Sequence, residues 1–298
     1  MKLEIQADEF LDRLISRRRD KAKPSTINAY RSLINSWILP YFGKTDLSEI
    51  ENGRMRQFVS HLDKQKLSSS TIVVTTGLVK SIISSALDGN GNELYPRKWN
   101  NDFMDLPRVD PRHQKNPVLD ATGVQETLSR ADATYRPFFA LLAGTGLRIG
   151  ESLALKAGPE VAEESRWDFE KGVIYVRKAL YRGDAQDPKT QAGVREIDLC
   201  PALNEYLRGI LDRQEGETLF PVPLGTAYYH AEKANVPGFH SFRRFRVTHL
   251  EGAGVPHSLV QFWTGHAGKD ITARYTRFQE GKSIRKEWAD KAGLGFNL

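Results

Sequence analysis

A single cysteine, Cys200, occurs in 298 residues. One thiol excludes an internal disulfide and any cysteine-rich zinc site. Placed after an apparent strand, Cys200 reads as a small buried hydrophobe rather than a nucleophile. No run approaches the roughly 18 consecutive apolar residues that a membrane span requires. The opening MKLEIQADEF lacks a basic n-region followed by an apolar h-region, so no secretion signal is expected, and the chain is expected in the cytoplasm without a membrane partner. There is no G-x-x-x-x-G-K-[ST], no H-E-x-x-H and no Cys/His cluster. The common nucleotide- and metal-binding signatures are thus missing. Internal repeats and low-complexity tracts are also missing.

What is present describes a globular chain: 40% apolar and 27% charged residues, over a length sufficient for two domains with separate cores. The formal net charge of +6 favours a nucleic-acid partner without requiring one.

Residues 7–88 read as helix with short connections. Phe10, Leu11, Leu14 and Ile15 form an apolar stripe, followed by Arg17, Arg18 and Arg19. Ser25 is the expected cap of a second helix whose face is Tyr30, Leu33, Ile34, Trp37 and Ile38, with Pro40 ending it. Met55, Phe58, Val59 and Leu62 mark a third helix. Ser68 to Thr71 cap a fourth, with Val74, Leu78, Ile82 and Ile83 inward. From Asp88 to Pro117 glycines and prolines break every pattern, and Arg108, Arg112, His113 and Lys115 are interspersed. The expected organisation is a helical domain 1–106, a linker 107–117 and a second domain 118–298. In the second domain, helices starting at Asp120, Tyr135 and about Arg148 precede a strand 173–178, a loop 183–193 and a returning strand 194–199. Helices resume near Pro201. The fold class is therefore mainly α with a small antiparallel sheet.

Four segments carry chemistry. In AGTGLRIGESLAL the glycines permit a tight turn, and Arg148 falls in the first turn of the next helix, where a guanidinium and the helix dipole suit an anion. Glu151, three residues on, faces it, although an Arg–Glu pair is also an ordinary surface feature. Lys189, followed by Thr190 and then by Arg195, Ile197 and Leu199, lies on a hairpin loop, where lysines are usually just solvated. His240 and Arg243 share a helix face and can reach one phosphate together, while Arg244 points elsewhere. Gly265-His266 precedes Tyr275 by nine residues. A phenol with a free pKa near 10 needs a base or a strongly cationic site to act as a nucleophile.

Together, in this order, G-T-G-L-R-x-x-E, K-T-x-x-x-x-R, H-x-x-R and G-H with a later tyrosine resemble the tyrosine recombinases, the phage-integrase class of site-specific DNA recombinases. The resemblance extends over nearly the whole chain: helices, proline-rich linker, then the motifs. It implies an N-terminal four-helix SAM-like core-DNA-binding domain and a catalytic domain that cleave and rejoin duplex DNA through a 3′-phosphotyrosyl intermediate, without metal or ATP. In that likeness Arg148 and Arg243 clamp the scissile phosphate and Tyr275 attacks it. Lys189 protonates the leaving 5′-oxygen, His240 accepts the tyrosine proton or binds the phosphate, and His266 hydrogen-bonds a non-bridging oxygen. Glu151 supports the arginines. Thr264 stands where leucine is common and Phe242 where leucine is usual; neither change removes a catalytic group.

The resemblance further implies a homo-tetramer on two DNA sites, each with a specific core sequence, and a C-shaped clamp around the duplex. It allows an accessory DNA-bending or directionality factor. The segment through Trp288 and Leu294 is expected to form a helix that docks on a neighbour. Arg17, Arg18, Arg19, Arg108, Arg112 and Lys115 are expected to contact phosphates, so affinity should fall with salt. Two other classes compete: a type IB topoisomerase-like enzyme, which would relax supercoils without joining two sites, and a DNA-binding accessory protein derived from a recombinase. The intact set Arg148, Lys189, His240, Arg243, His266 and Tyr275 argues against the second, and the all-helical first half against the first.

Overall fold

The computed structural model describes residues 1–16, 22–110, 118–188, 191–211, 218–266 and 281–298. Its contacts divide it into two units, Met1–Gln114 and Lys115–Leu298.

In the first unit α1 (Leu3–Ser16) buries Leu3, Gln6, Ala7 and Leu11. The apolar stripe thus lies further toward the N-terminus than expected, and Ile15 is exposed. Gln6 belongs on this face because its Nε2 donates to Ser85 Oγ (2.9 Å). In helix α2 (Pro24–Leu33) the N-cap position falls on Lys23, without a side-chain capping bond, and not on Ser25; Pro24 takes the first helical position, where its missing N–H costs nothing. Pro40 does not end this helix. Residues Ile34–Ile38 widen into a π-turn, with the Leu39 N–H bonded back to the Ile34 carbonyl, and α3 (Leu39–Phe42) continues. A proline ring clashes with the carbonyl four residues back. The wider turn absorbs that misfit and keeps Ile34, Ile38 and Phe42 in one core.

Helix α4 (Asn52–Lys64) buries Met55, Phe58, Val59 and Leu62 as its spacing indicates. Helix α5 (Ser69–Ser84) is capped by Ser68, whose hydroxyl accepts the Thr71 N–H (3.2 Å). Its buried face includes Thr75 and Thr76, whose hydroxyls donate to the carbonyls of Thr71 and Ile72. Satisfied threonines occupy the stripe there, and Val74 is left half exposed, against expectation.

The second unit begins with α6 (Ala121–Arg130), capped by Asp120 through the Gly123 N–H (2.7 Å). Helix α7 (Arg136–Thr145) is buried from Phe138 to its end and forms the axis of the core. After α8 (Ile149–Leu153) come β1 (Lys156–Ala157), β2 (Arg166–Asp168), β3 (Val173–Val176), β4 (Ala179–Tyr181), β5 (Asp184–Gln186) and β6 (Arg195–Asp198). The main sheet has the order β1-β2-β3-β6, antiparallel except for a parallel β1 at its edge.

β4 and β5 form a separate hairpin. Its turn is Arg182–Gly183, both at positive φ (53° and 93°), the backbone that two-residue hairpin turns need. The stretch expected as a loop over 183–193 therefore contains β5 and a 3-10 turn, Gln191–Gly193. Then follow α9 (Pro201–Leu211), α10 (Leu224–Lys233), α11 (His240–Gly252), α12 (His257–Thr264) and α13 (Lys282–Ala292). Phe139 of α7 stacks on Phe242 of α11 at 5.9 Å between ring centres. Trp167, Ile174 and Ile197 close the same core from the sheet, and Cys200 is buried within it. Among the described residues no helix is long and apolar enough to cross a membrane.

The expected C-terminal helix exists as α13, but its buried face meets its own unit. Arg285, fully buried, pairs with Glu196 (2.5 Å) and Asp198 (3.0 Å) of β6. Asp198 also accepts the Trp263 indole N–H of α12 (2.8 Å). A buried guanidinium cannot leave two partnered carboxylates cheaply, and Ala289, Ala292 and Leu294 follow it into the core. Arg285→Ala is expected to destabilise the chain by about 3–5 kcal/mol, measured by urea unfolding. A loss below about 1 kcal/mol would show that α13 is held by its apolar face alone.

Candidate active site

At the end of α7 the chain turns through Gly146 in the left-handed region (φ 69°), which glycine adopts without strain, beside the Arg246 side chain. Arg148 then adopts extended backbone as the N-cap of α8, one position before the first turn that the sequence suggested. Its backbone N–H donates to Glu151 Oε2 (2.9 Å) and its Nη1 to Oε1 (2.8 Å). Glu151 is thus joined to Arg148 as the spacing implied, but it is no surface pair, since only 2% of Glu151 is exposed.

The other side of that carboxylate is taken by Arg195. Its Nη2 and Nη1 donate to Oε2 (2.9 Å) and Oε1 (3.1 Å). Arg195 belongs to the quoted K-T-x-x-x-x-R pattern, yet was not among the expected site residues. The missed signal lies in strand parity. Arg195 alternates with Ile197 on β6, both buried, and a charged residue on the apolar phase of a strand must have a buried partner. Burial on its own would raise the Glu151 carboxyl. The Arg195 hydrogen bonds and charge, then Arg148, outweigh it and hold the group at about 2.

Three successive carbonyls at the end of α12 complete the cluster. Trp263 O accepts Arg195 Nε (2.7 Å), Thr264 O accepts Arg243 Nη2, and Gly265 O accepts Arg148 Nη2 (3.4 Å). Arg243 Nη1 donates in addition to Gly146 O (2.9 Å). The last carbonyls of a helix lack intrahelical donors and lie at the negative end of its dipole, so this end of α12 suits three cations. Gly265 is required there. Its φ is 63°, and a Cβ would come within 2.9 Å of Ala192 O and 3.1 Å of Arg195.

The two histidines flank the cluster. His240 opens α11 and is exposed, whereas Arg243, one turn on, is buried. Burial pushes Arg243 down to about 9, helped by Arg148 and Arg195; it remains a cation at neutral pH. Desolvation by the surrounding protein, then Arg243, Arg244 and Arg148, lowers His240. Desolvation, then Arg243, Arg148, Arg195 and His240, pushes His266 down to about 4. Both rings are therefore neutral at pH 7.

Lys189 and Tyr275 lie outside the described residues, as do Arg17, Arg18, Arg19, Arg112 and Lys115. Arg108 is exposed on the first unit. The structure brings together Arg148, Glu151, Arg195, Arg243, His240 and His266. Three guanidiniums face one carboxylate, leaving two positive charges uncompensated. Such a site can receive a dianionic phosphorus centre, with guanidinium N–H groups matched to its oxygens.

Comparison with known proteins bears on the family and the fold. The family model for the phage integrase N-terminal SAM-like domain matches residues 8–62, and the phage integrase family model matches residues 117–282. A tyrosine recombinase XerC-like protein of Caldanaerobacter subterraneus subsp. tengcongensis is 24% identical over 304 residues, covering 86% of this chain and 74% of that protein. Transposase B from transposon PsiTn554 of Staphylococcus aureus is 23% identical over 246 residues, covering 73% of this chain. The match takes in only about a third (36%) of the transposase's length.

Among solved structures, the Tn1549 transposon integrase in complex with a circular intermediate DNA superposes with a TM-score of 0.70 at 18% identity. That match covers 96% of this chain and 99% of the other. A lambda integrase dimer bound to a COC′ core site gives 0.66 at 16% identity, covering 100% and 99%. With matching models over both its helical N-terminal region and its arginine-bearing second unit, the chain belongs to the phage integrase family.

Proposed function

We propose that the chain is a site-specific DNA recombinase that cleaves and rejoins duplex DNA through a 3′-phosphotyrosyl intermediate. The observation that carries this reading is the arginine cluster: two uncompensated positive charges gathered around one buried carboxylate. A phosphodiester brings one negative charge and its pentacoordinate transition state a second, so the cluster is matched to the transition state more than to the ground state.

Arg148 and Arg243 hold the non-bridging oxygens. Arg195 acts one step back, fixing Glu151 and, through it, Arg148. Tyr275 attacks in line and expels the 5′-oxygen, which Lys189 protonates. His240, neutral and open to solvent at the start of α11, takes the phenol proton. The energy of the broken phosphodiester is kept in the phosphotyrosyl bond, so rejoining needs no nucleotide. Proteins of this fold have been solved on DNA, including a lambda integrase tetramer bound to a Holliday junction, which supports duplex DNA as substrate and a tetramer as the working assembly. Action on DNA inside the cell also fits the cytoplasm as its location.

Tyr275→Phe is expected to abolish the covalent protein–DNA adduct on a nicked suicide duplex while leaving affinity for the same duplex nearly unchanged. An adduct that persists in this variant would remove Tyr275 as nucleophile. Glu151→Gln tests the platform beneath the arginines. The folded Glu151 carboxyl sits at about 2, below its ordinary 4.5. Its contribution to stability is therefore complete above about pH 4.5 and is lost as pH falls toward 2. The glutamine variant should lose roughly 3–5 kcal/mol near pH 7, and the difference from wild type should shrink in acid. Equal unfolding midpoints at pH 7 would mean that Glu151 neutralises nothing.

A further inference from the structure

Thr264 is fully buried at the last position of α12. Its hydroxyl lies 2.7 Å from the Val260 carbonyl and 3.4 Å from that of Gln261. The same oxygen lies 3.2 Å from Nδ1 of His266. A hydroxyl has one proton and two lone pairs. The short bond to Val260 O uses the proton, because a carbonyl can only accept. Toward His266 the oxygen has only a lone pair to offer, so the proton of that contact belongs to Nδ1. A neutral imidazole carries one N–H, which leaves Nε2 bare. Among the described residues no hydrogen bond reaches Nε2, and the ring is exposed.

We propose that the Thr264 hydroxyl locks His266 in its Nδ1-protonated form, so that the ring meets a phosphate as an Nε2 acceptor and must take up one proton to hold it. Thr264 is thus a positioning residue, acting through His266. The consequence follows from lone pairs. Phosphate oxygens are acceptors, and a bare Nε2 facing one is repelled. Binding through His266 therefore converts the ring to imidazolium with a proton drawn from solvent. The new Nε2–H then donates to the oxygen while Nδ1–H stays on Thr264.

The charged and titratable groups facing the ring are Arg148 at the start of α8, Arg195 on β6, and His240 and Arg243 on α11. Desolvation and the three arginines oppose a second proton, and His240 adds to them once it is charged. An arriving phosphate offsets part of that field. Affinity at this step should then weaken by up to tenfold for each unit of pH rise across the window between the empty and occupied titrations of His266, which follows from uptake of one proton.

The use of that proton rests on the recombinase reading, whereas the tautomer does not. The first measurement therefore needs no DNA. Nitrogen-15 NMR of the full chain with labelled histidine, assigned with His266→Gln, reports which ring nitrogen of His266 bears the proton at pH 7. Wild type and Thr264→Ser, which both hold a hydroxyl at the position, should show Nδ1–H. Thr264→Val, similar in shape but without the hydroxyl, should shift the ring toward Nε2–H. An Nε2–H ring in wild type, or an unchanged ring in the valine variant, overturns the proposal.

The second measurement is the pH profile of adduct formation on a suicide duplex at subsaturating DNA. The fall with rising pH should be flatter for Thr264→Val than for wild type and regain its slope in Thr264→Ser. Equal slopes in all three overturn the proton-uptake step. If no protein forms an adduct while the spectra behave as expected, the recombinase reading fails and the tautomer stands.

Discussion

Three guanidiniums in one pocket repel each other, and the second unit is built around making that tolerable. Glu151 alone is insufficient: one carboxylate faces Arg148, Arg195 and Arg243. The remainder is supplied by dipoles. The carbonyls of Trp263, Thr264 and Gly265 each accept from one of the three arginines, at the end of a helix where the backbone is richest in unpartnered acceptors. Fixed dipoles have an advantage over further carboxylates. They hold the guanidiniums in place without cancelling their net charge, so the pocket stays cationic toward a ligand.

That arrangement joins parts of the chain far apart in sequence. Arg148 comes from the α7–α8 turn, Arg195 from β6, Arg243 from α11 and the carbonyls from α12. The joints are tight. The left-handed turns at Gly146 and Gly265 bring backbone against Arg246 and Arg195 respectively. Asp198 ties Trp263 of α12 and Arg285 of α13 to the strand that carries Arg195. The strand is therefore both floor of the arginine cluster and anchor for α12 and α13. Burial raises the Asp198 carboxyl, against the opposing pull of Trp263 and Arg285; that pull is what makes a carboxylate tenable at this depth.

Much of this was legible in the sequence because it depends on local rules. Ser68 and Asp120 cap their helices through the N–H three residues on, as short polar side chains before an apolar run do. Arg148 and Glu151 pair because three residues on a helix start bring them together. What escaped the sequence depended on packing. Pro40 reads as a helix end by its own chemistry, and only the gain from seating Ile34, Ile38 and Phe42 in one core makes a π-turn the better solution. Ser25 lost the N-cap position to Lys23 because Pro24 suits the first helical position. Arg195 was visible as a motif letter, but its role depends on Glu151 lying across from it, 44 residues away in sequence. The parallel β1 edge is two residues long, too short for any periodicity to show.

The histidines show why a cationic platform also governs protons. Desolvation, then the field of the same arginines, lowers both His240 and His266. A neutral imidazole can accept a proton, whereas a protonated one cannot. The arginine charge thus adds to burial in keeping these rings unprotonated. A phosphate there would offset the arginines and return proton affinity to both rings. Glu151 tempers the arginine field. Its carboxylate opposes the arginines at His240 and pulls that ring's proton affinity back up.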